Sequence, residues 1–115
     1  MSDSVIDAAT FAELQDSAGA EFAAELVGTF LEEAPGMLAE LRDALAGAQA
    51  ERFKRTAHSL KSNANTFGAL ELAARSRALE LAGLNADPAQ DVAALDALEA
   101  AYAAAAAELK ELSHG

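Results

Sequence analysis

The sequence predicts an all-α protein, an antiparallel four-helix bundle with a short extra helix at its N-terminus. Apolar residues recur at three- and four-residue steps in every long segment, glycines and prolines separate these segments, and no segment alternates as a strand does. Short connections between long amphipathic helices favour antiparallel neighbours. The length of 115 residues and the lack of a linker-like stretch predict one domain over residues 1–115.

Local signals set the limits of five predicted helices. Asp7 or Thr10 caps a short helix that ends near residue 17, before Gly19. Pro35 lies inside the second helix, where we expect a kink with helix continuing on both sides. Asp87 and Pro88 together predict the start of the last helix. The four long helices are predicted to cover about residues 22–46, 50–67, 69–83 and 88–112.

Two of these helices carry long apolar stripes that we expect to face the core. In the second helix the stripe comprises Phe22, Leu26, Val27, Phe30, Ala34, Met37, Leu38, Leu41 and Leu45. In the last helix it comprises Val92, Leu95, Leu98, Tyr102, Ala105, Leu109 and Leu112, with the spacing of a bundle seam.

Composition excludes several classes of function. The net charge of −11 argues against general binding to nucleic acids or anionic membranes. No cysteine is present, so the chain has no disulfide, thiolate metal site or cysteine nucleophile. No signal peptide and no apolar run of the roughly 20 residues that span a bilayer are visible. We therefore expect a cytoplasmic protein that binds neither membranes nor nucleic acids.

The basic residues are concentrated in one segment. Six of the eight lie between positions 48 and 77, where only Glu51 and Glu71 are acidic. Most charged segments are simply solvated. Here the cluster surrounds His58, the only histidine outside the last two residues, and we interpret it as a surface that receives acidic partners or phosphate.

His58 lies on the polar face of the third predicted helix. At about 100° per residue, the core side of this helix comprises Phe53, Ala57, Leu60, Ala64 and Phe67. The opposite side comprises Glu51, Lys54, Arg55, His58, Lys61, Ser62 and Asn65. An exposed imidazole among basic neighbours is a candidate phosphoryl acceptor, because its neutral nitrogen is nucleophilic near pH 7.

The region around His58 resembles histidine-containing phosphotransfer (HPt) domains of two-component phosphorelays. The resemblance rests on His58-Ser59-Leu60-Lys61-Ser62, followed by Phe67-Gly68-Ala69. Residues 30–35 and 79–80 match the flanking helices of that family, so the likeness covers nearly the whole chain. Ser62 departs from the glycine that is commonest in the family, which bears on the fit of the partner.

The resemblance implies a phosphorelay intermediate in signal transduction. His58 would accept a phosphoryl group, on the ring nitrogen farther from the backbone, from a receiver-domain aspartate or a kinase. It would then pass the group to another receiver domain. Lys61 would disfavour the imidazolium and later pair with phosphate oxygens. Ser62, Asn65, Lys54 and Arg55 would face the phosphate or the partner, and Glu80 is interpreted as a surface or capping contact.

The resemblance also limits what the chain needs. No cofactor is expected, because Mg²⁺ would belong to the partner receiver domain. The protein would be a phosphocarrier without ATP-dependent kinase activity, since no nucleotide-binding domain or Gly-rich phosphate loop is visible. We expect a monomer.

Two other functions remain to be weighed. A di-iron bundle enzyme needs inward Glu and Glu-x-x-His pairs, but Arg55 stands three residues before His58. A helical adaptor without phosphochemistry would share the fold and differ only in whether His58 takes phosphate.

Overall fold

Five helices make up the part of the protein that the structure describes. The computed structural model describes residues 5–84 and 87–114, and no strand occurs within these ranges. The helices are α1 (Ala8–Ala18), α2 (Ala20–Ala46), α3 (Ala50–Phe67), α4 (Leu70–Ala82) and α5 (Pro88–His114). The predicted helix positions are confirmed to within two residues at each boundary. None of the described helices is both long enough and apolar enough to cross a membrane.

The four long helices form a ring around one core. α2 contacts α3 and α5, and α4 contacts the same two helices from the other side. Because the four long helices are joined to one another by short connections, we infer that α3, α4 and α5 each run antiparallel to the helix before them. α1 packs across α2 and α3. The predicted four-helix bundle with an extra N-terminal helix is confirmed.

The core is apolar and joins all the helices. Phe53 and Leu60 of α3 are fully buried, as are Leu41 of α2 and Leu98 of α5. The ring of Phe30 in α2 lies 5.2 Å from the ring of Phe67 in α3 and 6.0 Å, edge-on, from that of Tyr102 in α5. Such aromatic contacts fix the relative positions of these three helices.

α1 is capped by Asp7, one of the two candidates. The Asp7 side chain accepts hydrogen bonds from the backbone N–H and the hydroxyl of Thr10, at 3.0 and 2.6 Å. These bonds hold the pKa of the Asp7 carboxyl below its usual value. The Asp7 N–H also donates to the carbonyl of Gly68 at 2.8 Å. The start of α1 is thereby attached to the end of the helix that carries His58.

Gly68 is required by both its conformation and its surroundings. It ends α3 in the left-handed region, with φ of 78°. A Cβ at this position would lie 2.9 Å from the carbonyl oxygen of Asp7. A side chain would therefore strain the backbone and push α1 away from α3.

Pro35 does not break α2, which is helical on both sides of it as predicted. Proline has no N–H, so the carbonyl of Leu31 lacks its usual partner four residues on. The hydroxyl of Tyr102 donates to this carbonyl at 3.4 Å. A side chain from α5 thus compensates in part for the bond that Pro35 cannot make.

Three residues of the predicted stripes are exposed, and their assignment to the core was wrong. Phe22 is 51% exposed, because Ala23 and Val27 take the core side at the start of α2. Val92 is exposed because the buried position in the first turns of α5 belongs to Asp91. Leu112 is exposed because α5 has 27 residues and α4 only 13, so the last turns of α5 extend beyond α4.

Candidate functional site

α3 presents His58 to solvent while its other side is buried. All five residues predicted for the core side of α3 are buried, and they hold the helix in a fixed rotation. The side chain of His58 is 57% exposed. The predicted division of α3 into a core face and a polar face is confirmed.

A carboxylate from the neighbouring helix holds the histidine ring. Oε2 of Glu80, in α4, lies 2.6 Å from Nδ1 of His58, and Oε1 of Glu80 accepts a hydrogen bond from Nζ of Lys61 at 2.8 Å. One carboxylate therefore connects the imidazole to the ammonium group one turn away on α3. The side chains of Glu80 and Lys61 are each about three-quarters covered. Water therefore competes less for their hydrogen bond than it would at a fully exposed ion pair.

The electrostatics of the site determine which ring nitrogen carries the proton. The hydrogen bond from Lys61, and then that from His58, keep the pKa of Glu80 below its usual value. An ionised carboxylate can only accept hydrogen bonds, so Nδ1 of His58 must be the donor. In the neutral ring the lone pair is then on Nε2. The ring is held in the tautomer whose outer nitrogen is nucleophilic.

Glu80 has a larger role in this geometry than the sequence suggested. Its interpretation as a surface or capping contact missed the bond to His58, which joins residues 22 positions apart. Lys61 was expected to act on the imidazolium directly, whereas its ammonium binds the carboxylate that separates it from the ring. The available signal was that Glu80 is the only acidic residue in the second half of α4.

Lys54 and Arg55 lie beside the histidine, one turn earlier on α3. Both are exposed, and they line a shallow depression that also includes Glu51, His58 and Glu80. The structure therefore brings these two predicted residues next to His58. Their positive charge therefore lies beside the imidazole, in the same depression.

Ser62 and Asn65 occupy different positions relative to the histidine. Ser62 is exposed on the same face, one turn after His58. Asn65 is two turns from His58, about 10 Å along the helix axis, and lines a separate groove with Lys61 and Arg77. Asn65 is exposed on this side of the bundle but lies farther from the imidazole than Ser62, so its role toward the phosphate or the partner stays a prediction.

A metal centre is not apparent around this site. Across residues 5–84 and 87–114, no three His, Asp or Glu side chains are grouped so that they could hold a metal ion.

Comparison with known proteins identifies the family. The family model described as the Hpt domain matches residues 25–108, a range that includes α3, α4 and most of α2 and α5. No curated protein and no solved structure gives a significant match. The helical bundle and the histidine on its exposed face agree with the family match. The chain therefore belongs to the Hpt domain family, whose members carry out histidine-containing phosphotransfer in two-component phosphorelays.

Proposed function

We propose that His58 is the phosphoryl carrier of this Hpt domain. It accepts the group from the aspartate of one receiver domain, or from a kinase, and passes it to the aspartate of another. The observation that carries this proposal is the 2.6 Å contact between Nδ1 of His58 and Glu80. That contact leaves Nε2 as the nucleophilic nitrogen of a ring that is more than half exposed.

The transfer step follows from this tautomer. The lone pair of Nε2 attacks the phosphorus of an aspartyl phosphate, an N–P bond forms, and the P–O bond to the aspartate breaks. The aspartate leaves with the electron pair as a carboxylate. The ring gains positive charge while keeping its proton on Nδ1, and the adjacent Glu80 carboxylate stabilises that charge. In the onward step a carboxylate oxygen of the second receiver's aspartate attacks the phosphorus and a P–O bond forms, while the N–P bond breaks and its electron pair returns to Nε2.

Lys61 fits the role of a phosphate ligand. Its ammonium group has three N–H donors, and one of them is used for Glu80. The other two N–H groups can donate to the oxygens of a phosphoryl group on Nε2. Such a group would bring about two negative charges to this face. Lys54 and Arg55 add positive charge one turn away and favour the approach of an anionic partner.

The residues supply positioning and charge, which is most of what phosphoryl transfer requires. We assign no cofactor to this chain, and the Mg²⁺ of the reaction to the partner receiver domain. The protein is then a carrier that becomes phosphorylated, acts as a monomer in the cytoplasm and has no kinase activity of its own.

The direct test is transfer from a phosphorylated receiver domain, followed by intact-mass measurement of this protein. The wild type should gain the mass of one phosphoryl group, in a linkage that is labile to acid and stable to base. His58→Gln should gain none and should keep its helical circular dichroism, because the side chain is exposed. Incubation with ATP alone should leave the wild type unmodified.

Two results would contradict the proposal. A folded His58→Gln protein that still gains the phosphoryl mass would show that another residue is the carrier. A wild type that binds receiver domains but never takes the phosphoryl group would be a helical adaptor, the alternative that shares this fold.

A further inference from the structure

The outer face of α4 is unusually apolar for a surface helix. Leu70 is 51% exposed and Leu81 is 70% exposed. Together with Ala74 and Arg77, both also exposed, they occupy positions i, i+4, i+7 and i+11, which lie on one side of a helix. We call these four residues the α4 stripe. The opposite side of α4 faces the core through Leu72, Ala73, Ser76 and Leu79.

The α4 stripe is continuous with the phosphotransfer site. Leu70, Ala74 and Arg77 line a groove between α3 and α4, and Lys61 lines the same groove. Lys61 in turn binds Glu80, the residue that holds His58. At the other end of the stripe, Leu81 directly follows Glu80 in α4. A partner positioned over His58 therefore has exposed apolar surface beside it on this flank.

The opposite flank of His58 is less suited to an anionic partner. Where α3 meets α2, the surface is lined in part by Arg55 and by Glu40 and Arg52, which form an ion pair at 3.0 Å. The exposed charges of α2 itself between residues 32 and 43 are all acidic: Glu32, Glu33 and Asp43. A protein that carries an aspartyl phosphate brings negative charge, which these carboxylates of α2 oppose beside Arg55, whereas the α4 flank adds two exposed leucines to its exposed arginine.

We propose that the receiver domain docks on the α3–α4 flank and covers Leu70 and Leu81 while its phosphorylated aspartate lies over His58. This inference rests on the proposed function and adds the surface that selects the partner. Each leucine that becomes buried at the interface should contribute about five- to tenfold to the affinity. The substitutions should change the receiver concentration needed for half-saturation and not the saturating rate, because we place neither leucine at the reacting nitrogen.

The experiment compares Leu70→Gln and Leu81→Gln with the wild type. The probe is the receiver domain that transfers fastest to the wild type among isolated receiver domains from the same genome, each loaded with acetyl phosphate and Mg²⁺. Phe22→Gln is the matched control, since Phe22 is also 51% exposed but lies at the far end of α2. Both leucine variants should raise the half-saturating receiver concentration about five- to tenfold and leave the saturating rate within twofold. The control should match the wild type.

Two outcomes would overturn the inference, and a third would support it while overturning the proposed function. If both leucine variants are loaded like the wild type, the partner docks elsewhere and His58 still functions as a carrier. If sedimentation shows a wild-type dimer that Leu81→Gln dissociates, with transfer by the monomer unchanged, the α4 stripe is covered by a second copy of this chain. If receiver domains bind in a leucine-dependent way but never load His58, the docking surface stands and the proposed carrier function fails.

Discussion

Replacing Glu80 by glutamine should slow phosphorylation of His58 more than replacing it by alanine. The reason lies in the shared carboxylate, which accepts from His58 and Lys61 at the same time. A glutamine has one oxygen and one NH₂ group. Because the ammonium of Lys61 can only donate, it should attract the amide oxygen and turn the NH₂ group toward Nδ1 of His58. That nitrogen would then accept, and the proton would move to Nε2, the atom that must attack.

The size of the effect follows from the number of bonds that change. Glu80→Ala removes one hydrogen bond that favours the reactive tautomer, and a bond of ordinary strength changes such an equilibrium by about two- to tenfold. Glu80→Gln removes that bond and adds one that favours the wrong tautomer, so the combined effect is about 4- to 100-fold. Since 57% of the His58 side chain is exposed, water competes for these bonds, and we expect about tenfold.

The assay is the initial rate of phosphoryl transfer from a loaded receiver domain at saturating concentration. Nitrogen-15 chemical shifts of the imidazole provide a second readout, because they distinguish protonated from unprotonated ring nitrogens. Glu71→Gln is the control, since Glu71 is an exposed glutamate of the same helix and its ion pair, at 3.5 Å, is with Arg75. If Glu80→Gln transfers faster than Glu80→Ala, or keeps the proton on Nδ1, the tautomer argument is wrong.

Three further predictions concern stability. Gly68→Ala should lower the free energy of unfolding by more than the roughly 1–2 kcal/mol that a left-handed alanine costs, because its Cβ would also lie 2.9 Å from the carbonyl oxygen of Asp7. Gly28→Ala, in open space within α2, should instead raise the free energy of unfolding by about 0.5–1 kcal/mol. Equal effects of the two substitutions in urea unfolding would contradict this. Tyr102→Phe should lower the free energy of unfolding by about 0.5–1 kcal/mol. The cost should be smaller in a Pro35→Ala background, where a backbone N–H again reaches the carbonyl of Leu31. The same cost in both backgrounds would show that the Tyr102 hydroxyl does not compensate for the bond that Pro35 cannot make. The pKa of Glu99 is held below its usual value, first by its hydrogen bonds to the guanidinium of Arg42 in α2, so its contribution to stability is complete above the unfolded pKa and is lost as pH falls through the folded pKa. Glu99→Gln should therefore lose less stability than the wild type between about pH 5 and 3. Parallel curves of unfolding free energy against pH for the two proteins would contradict this.

Much of this protein could be predicted from local sequence. Helix limits were predictable because they depend on nearby residues, such as the side chain of Asp7 three positions before the N–H that it caps. The exposure of His58 was predictable because one helix has a single rotation that buries Phe53, Leu60 and Phe67 together. Residue types and their periodicity carry this information within one turn or two.

Tertiary packing decided the features that join distant parts of the chain. Phe22 and Leu112 belong to periodic stripes, yet both are exposed. At the start of α2 the core side is taken by Ala23 and Val27, and at the end of α5 the helix extends beyond α4. The tautomer of His58 depends on Glu80, which comes within 2.6 Å only because α3 and α4 pack side by side. The sequence by itself therefore determined which residue presents the imidazole and on which face. The family resemblance already implied the outer ring nitrogen, and the structure supplied the physical reason, a contact between Nδ1 and Glu80 that joins two helices and that no periodicity within either helix encodes.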